Sequence, residues 1–173
     1  LTAAGAQPEV SAEPAAVRAA RRIVLPGVGA FRPPRERLRG ELESALRDAL
    51  ADGAHLLGIC VGYQLLFEGS DEFGATGGLG LLRGRITQLP ATVALPHIGW
   101  NRLDTSSAHP LLDGIERDAY VYFVHSFAPD AEAGPDARAI GCGAGDVLLL
   151  EGGGQRPCPL GCTTTPDPHC LEL

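Results

Sequence analysis

Three features of this 173-residue chain predict an α/β fold with a mostly parallel central sheet and helices on both of its faces. Short apolar strands alternate with helical stripes, a spacing that implies parallel strands joined by crossovers. Two of these strands run straight into glycine-punctuated turns, Pro26-Gly27-Val28-Gly29-Ala30-Phe31 and Gly58-Ile59-Cys60-Val61-Gly62. The length suits one domain, enough to bury about two thirds of its unfolded surface.

Taken in order, residues 8–11 are expected to form a short strand, and residues 14–20 a short helix with proline in its first turn. Arg22-Ile23-Val24-Leu25 reads as a brief apolar strand that stops at the first glycine loop. From Arg35 to Asp52 the apolar positions are Leu38, Leu42, Ala45, Leu46, Ala49 and Leu50. They predict a single helix ended by Gly53. A strand over 56–59 follows. Residues 74–80 read as loop, while 84–89 and 95–101 read as short extended segments. Tyr120-Val121-Tyr122-Phe123-Val124-His125-Ser126-Phe127 is β-branched or aromatic almost throughout and carries the strongest strand signal. Beyond about Arg138 periodicity is lost, and apart from residues 147–150 the chain is a run of Gly, Pro, Thr and Cys. The expected organisation is therefore a domain over 1–138 and a poorly ordered tail over 139–173. There is no internal repeat.

Cys60 stands between two glycines where an apolar strand meets a helix start, Gln64-Leu65-Leu66-Phe67. This is the cysteine form of a nucleophile elbow, a tight turn that lifts the reactive atom above the sheet edge. The glycines are expected to supply unusual backbone angles and close packing. The positive end of the following helix is expected to favour thiolate over thiol. Cys60 is thus the expected nucleophile, against the competing reading of a buried structural cysteine.

Composition excludes other classes. A net charge of −7 with no basic cluster argues against a nucleic-acid surface. The longest apolar stretch, around residues 56–67, is interrupted by Gly58, Gly62 and Gln64 and is too short to span a bilayer. No secretion signal is evident, and five irregularly spaced cysteines make no disulfide framework, so a cytoplasmic location without cofactor or metal is expected.

Four segments together carry a specific resemblance: Leu25-Pro26-Gly27-Val28-Gly29-Ala30-Phe31, the elbow through Glu68, Leu95-Pro96-His97-Ile98-Gly99-Trp100-Asn101, and Tyr122-Phe123-Val124-His125-Ser126. In order and spacing the chain resembles the glutamine amidotransferase subunits of imidazole glycerol phosphate synthase, in the class I (triad) amidotransferase superfamily. The resemblance covers about residues 1–138. It implies a flavodoxin-like α/β sandwich that hydrolyses glutamine to glutamate and ammonia. It also implies delivery of ammonia to a (β/α)₈-barrel cyclase subunit in histidine biosynthesis.

The same resemblance implies site roles. Cys60 would form a thioester with the glutamine side chain. The N–H groups of Val61 and Val28 would stabilise the oxyanion, with Gly27 and Gly29 shaping the loop. Gln64, Ser126 and Phe127 would line the glutamine pocket. Trp100 and Asn101 would belong to the face that meets the cyclase, against core packing as the competing reading for the tryptophan. His97 and His125 are expected to be structural.

Two departures from the family pattern are legible. A strand–helix unit normally precedes the position of Leu1, and the expectation is a fragment or processed chain. The family's base and its orienting carboxylate come from a Phe-His-Pro-Glu segment, and His-Pro-Glu occurs nowhere in these 173 residues. His169 lies near the expected distance but is followed by Cys170. A frame change near residue 138 would account for this tail. The rival is a zinc site from Cys142, Cys158, Cys162, Cys170 and His169, whose spacing matches no standard finger. Without the family's base a loss of about 10²–10⁴-fold or more in rate is expected, which favours an inactive binding subunit over an active chain. The other functional rival is a standalone cysteine hydrolase of similar fold.

Overall fold

The computed structural model describes residues 1–90, 94–102, 114–116 and 119–130. The chain runs α1 (Pro14–Ala19), β1 (Arg22–Gly27), α2 (Arg32–Leu38), α3 (Glu41–Ala51), β2 (His55–Cys60), α4 (Val61–Gln64), β3 (Gly69–Ser70), β4 (Thr76–Gly77), β5 (Arg85–Gln88), β6 (His97–Arg102), β7 (Tyr120–His125) and β8 (Phe127–Pro129). A 3₁₀ turn, Thr2–Ala4, precedes them.

Strands β1 and β2 pair in parallel, Arg22 opposite His55 through Gly27 opposite Cys60. Because side chains alternate along a strand, Ile23, Leu25 and Leu56 share one face. They pack into a cluster with Val17 of α1, Leu42, Leu46 and Leu50 of α3, and Val61 and Tyr63 of α4. On the opposite face Val24 and Ile59 remain about a third exposed. The second sheet, ordered β4-β3-β5-β8, is mixed, and β6 and β7 form a separate antiparallel ribbon. The parallel strands and their helices make this an α/β fold, as the sequence predicts.

Several expected elements are redrawn. Residues 8–11 form no strand, and Val10 is fully exposed. The single helix expected over 35–52 is two, because Gly40 takes φ +82° and Arg39 is extended. The break hides in the apolar pattern because Leu38 and Leu42, four apart, still face the same core. The predicted stop at Gly53 holds. Its φ is +86°, and Gly53 N–H to Leu50 O with Ala54 N–H to Ala49 O makes a Schellman end. The helix start expected at 64–67 is also shorter, since α4 ends at Gln64 and Leu65 to Phe67 turn inward, all buried. The 74–80 loop contains the two-residue strand β4. The long strand over 120–127 is divided by a bend at Ser126, which sends β8 to the second sheet while β7 pairs with β6.

An ion network ties α2 and α3 to the 77–79 segment. Arg35 and Arg47 both reach Glu43, at 2.8 and 2.9 Å, and donate to the carbonyls of Gly77 and Leu79. Burial pushes the Glu43 carboxyl up, but the hydrogen bonds from Arg47 and Arg35 outweigh it and hold it below its ordinary value. Among the described residues no helix is long and apolar enough to cross a membrane. The tail expected over 139–173, with the apolar run at 147–150 and the cysteines and histidine of the zinc alternative, lies outside the described residues.

Candidate active site

Strand β2 ends at Cys60, whose backbone sits at φ +55°, ψ −125°, a conformation that costs a non-glycine residue on the order of 1–3 kcal/mol. The strain falls on the cysteine itself. Gly58 and Gly62, expected to supply unusual angles, have no positive φ and serve packing instead. A Cβ on Gly58 would stand 2.6 Å from the Tyr63 Cα, and one on Gly62 would collide with the Leu25 carbonyl. Gly27 is equally confined, with the Gly62 nitrogen 2.7 Å from where its Cβ would be. Three bare backbones therefore let α4 lie directly on β1 and β2, which sets the sulfur at the sheet edge.

With only four residues, α4 sums few peptide dipoles, so the activation of Cys60 expected from the helix end reduces to the local N–H groups of its single turn. Val61, the residue after Cys60, is buried. Gly27 is the register partner of Cys60 across the sheet, which brings the 27–29 loop beside the elbow. Val28 is 89% exposed, and Gly29 takes φ +85° with no atom near its missing Cβ.

A cavity of about 330 Å³ opens at this point, lined by Gly29, Cys60, Val61 and Gln64 on the elbow side and by His125, Ser126 and Phe127 opposite. Glu72, Phe73, Pro96 and Val124 complete it. Of the expected site residues, Cys60, Val61, Gly29, Gln64, Ser126 and Phe127 converge here. Gly27 and Val28 adjoin the cavity without lining it.

Five lining residues lie outside the set of site residues expected from the sequence, and two of them, Glu72 and His125, carry titratable side chains. Glu72, twelve residues beyond the nucleophile, accepts a 2.7 Å hydrogen bond from the buried Phe31 N–H and places a carboxylate at the cavity wall. Nothing local distinguishes it from its neighbours Glu68 and Asp71. His125, read as structural, is 7% exposed, and its Nδ1 lies 3.2 Å from the Phe127 carbonyl oxygen. Strand alternation in β7 turns it inward with Phe123, a placement the period of two could have revealed. Burial pushes its imidazole down to about 4, the Phe127 hydrogen bond opposing this and His97 adding to it. The Gln64 Nε2 also donates to the Phe127 carbonyl, at 3.2 Å.

Trp100 and Asn101 lie away from the cavity on β6. Trp100 is 45% exposed and packs edge-on against Tyr122, its register partner. Ile98, Tyr120, Tyr122 and Val124 are half exposed on the same side of the ribbon. Asn101 is not on that face. Alternation buries it on the inner side, where its Nδ2 meets His97 Nε2. His97 stacks edge-on against His125, and burial lowers its pKa. Among the described residues no cluster of His, Cys, Asp and Glu is arranged to hold a metal.

Comparison with known proteins bears on the family and the fold. A family profile described as glutamine amidotransferase class-I matches residues 5–142. The imidazole glycerol phosphate synthase subunit HisH of Salinibacter ruber is 45% identical over 132 residues, covering 72% of this chain and 61% of that protein. The subunit of the same name from Symbiobacterium thermophilum is 45% identical over 141 residues, covering 81% of this chain and 66% of its relative. That of Thermococcus kodakarensis is 47% identical over 118 residues, 68% of this chain and 60% of its relative. The chain thus spans less than two thirds of the length of these relatives. A solved structure described as a glutamine amidotransferase superposes with a TM-score of 0.65 at 15% identity, covering 89% of this chain and 77% of its own, a likeness of fold. On the match over residues 5–142, the chain belongs to the class-I glutamine amidotransferase family.

Proposed function

We propose that this chain hydrolyses glutamine to glutamate and ammonia, as the amidotransferase subunit of an imidazole glycerol phosphate synthase acting in the cytoplasm. The observation that carries the reading is the strained elbow at Cys60, opening onto a cavity that gathers Gln64, Glu72, Ser126 and Phe127. A strained backbone held at a cavity mouth is characteristic of reacting groups rather than of packing cysteines. The catalytic unit is assigned to residues 1–138, and the ammonia acceptor to a barrel-shaped cyclase.

The chemistry is set by the groups present. The Cys60 sulfur adds to the side-chain amide carbon, and the carbonyl oxygen takes the negative charge. The N–H of Val61 and, from the adjoining loop, that of Val28 receive this oxyanion. The C–N bond then breaks, and ammonia leaves a γ-glutamyl thioester behind. The proton given up by the Cys60 thiol reaches the departing nitrogen by way of water, since no His-Pro-Glu segment stands in these residues to relay it. Water adds to the thioester and releases glutamate with the thiol restored. The Glu72 carboxylate suits the α-ammonium group of the substrate, and the Gln64 side chain suits its α-carboxylate or α-ammonium. The cyclase is assigned to the outer face of the β6–β7 ribbon, where Trp100 and Tyr122 form an apolar aromatic patch. Asn101 would support that face from behind through His97.

The test is glutamate release from glutamine by the purified chain with a cyclase subunit, beside Cys60→Ala. Turnover that disappears in the variant supports the reading. Cyclase binding without any turnover would replace it with a binding subunit, and turnover that survives Cys60→Ala would remove Cys60 as nucleophile.

A further inference from the structure

We infer that His125 is a positioning residue for the glutamine site, fixing through the Phe127 carbonyl which end of the Gln64 carboxamide faces the substrate. The inference rests on the function proposed above. Its geometry is a shared acceptor: one carbonyl oxygen receives both the Gln64 Nε2 and the His125 Nδ1, each at 3.2 Å. A peptide carbonyl has two lone pairs, and here both are taken by side chains that line the same cavity.

Each partner's chemistry is constrained by that oxygen. A carbonyl accepts only, so the Gln64 amide must present its NH₂ to Phe127 and turn Oε1 the other way. For the same reason His125 must carry its proton on Nδ1, leaving Nε2 bare. Nε2 is buried and has no hydrogen-bond partner among the described residues. An imidazolium would need a second acceptor there, so the neutral Nδ1–H form is the one the site accommodates, in keeping with its lowered pKa.

The peptide being held stands directly after the bend at Ser126, where β7 leaves the ribbon and β8 joins the second sheet. The Ser126 carbonyl is anchored by the Leu89 N–H at 2.8 Å, but the next carbonyl, Phe127, is fixed at this end by the two side chains. The Ala128 N–H of the same peptide lies in β8 opposite Thr87, so without the His125 donor the carbonyl stays in place but one of its lone pairs opens. The Gln64 carboxamide then loses the neighbour that confines its NH₂ to the other lone pair and keeps its oxygen on the substrate side. An amide presented the wrong way round offers a donor where an ammonium group needs an acceptor. His125 thereby governs affinity for glutamine while touching neither the sulfur nor the reacting carbon.

The experiment measures alkylation of Cys60 in the full chain by a diazoketone analogue of glutamine, with limiting rate and half-saturating concentration read separately. Saturable labelling of the wild type establishes the glutamine site. Unsaturable labelling would remove the proposed function itself, a failure distinct from any failure of the His125 variants. His125→Phe, which fills the space but donates nothing, is expected to raise the half-saturating concentration about tenfold, the effect of losing one hydrogen bond to a charged group. Its limiting rate should stay within about twofold. His125→Asn, whose amide can donate in place of Nδ1–H, should return the half-saturating concentration to within about threefold of wild type. An unchanged value in His125→Phe, or equal losses in both variants, would overturn the inference. Should His125→Phe not fold, ¹⁵N spectra of the wild-type histidines decide. An Nδ1–H tautomer at His125 is required, and an Nε2–H tautomer overturns the inference.

Discussion

Replacing Gly62 by alanine tests the construction of the elbow more sharply than any change at the sulfur. The new Cβ would collide with the Leu25 carbonyl oxygen and lie 2.6 Å from the Leu25 carbonyl carbon and 3.0 Å from that of Pro26. Comfortable carbon contacts begin at about 3.5 Å. The obstructing atoms are backbone of β1, locked by its register with β2, so no rotamer change can relieve the clash. Either α4 lifts off the sheet or β1 shifts, and both disturb Val61 and Tyr63 in the core. Overpacking of this kind costs about 3 kcal/mol, the upper part of its usual range, against a typical total stability of about 5–15 kcal/mol. Gly29→Ala is the internal reference. No atom lies within 4 Å of its Cβ position, so only its φ of +85° opposes the change, at about 1–2 kcal/mol. Urea unfolding followed by far-UV circular dichroism should place Gly62→Ala well below Gly29→Ala at equal m-value. If Gly62→Ala were as stable as Gly29→Ala, the close seating of α4 on β1 would be wrong.

The same structure fixes three other outcomes. Cys60→Gly should be at least as stable as Cys60→Ala, although glycine ordinarily costs about 0.5–1 kcal/mol in a fixed backbone, because it releases the strain at φ +55°; thermal midpoints in the reverse order would show that the strain is absent. Glu72→Gln keeps an acceptor for the Phe31 N–H but removes the charge, so calorimetric titration with glutamine should show affinity about tenfold lower, and an unchanged value would separate Glu72 from the ammonium group. Burial lowers the His125 pKa to about 4, so the stability tied to its neutral form is complete above about pH 6.5 and is lost as pH falls toward 4. The loss approaches about 3 kcal/mol across that window, with His97 acting in the same direction. Urea midpoints at pH 7 and pH 5 should therefore differ less in His125→Asn than in wild type, and an equal difference would reject the assignment.

Much of this architecture is legible in the sequence because local signals and tertiary demands coincide. The run into Cys60, the Gly53 stop and the aromatic strand at 120–125 each carry one unambiguous pattern, and the structure places them accordingly. The break between α2 and α3 is concealed because Gly40 interrupts the chain without interrupting the apolar spacing. The role of Gly58 and Gly62 is only half legible: glycines flanking a cysteine signal a tight turn, but which residue bears the strained angles depends on how closely α4 approaches β1. Glu72 is opaque for a further reason: it reaches the cavity through a contact with the distant Phe31. For His125 the period of two gives the inward direction but not the cavity, because no short window of sequence contains it. Strand alternation separates Trp100 from Asn101, although neighbouring letters suggest one shared face.

The central claim is that Cys60 becomes covalently bonded to the substrate, and acid-quenched digestion with peptide mass analysis tests it directly. Chain mixed with glutamine in the presence of a cyclase subunit should yield a γ-glutamyl adduct on the peptide carrying Cys60, absent from Cys60→Ala. Glutamate produced at an undiminished rate by Cys60→Ala, with no adduct on the wild-type peptide, would contradict it.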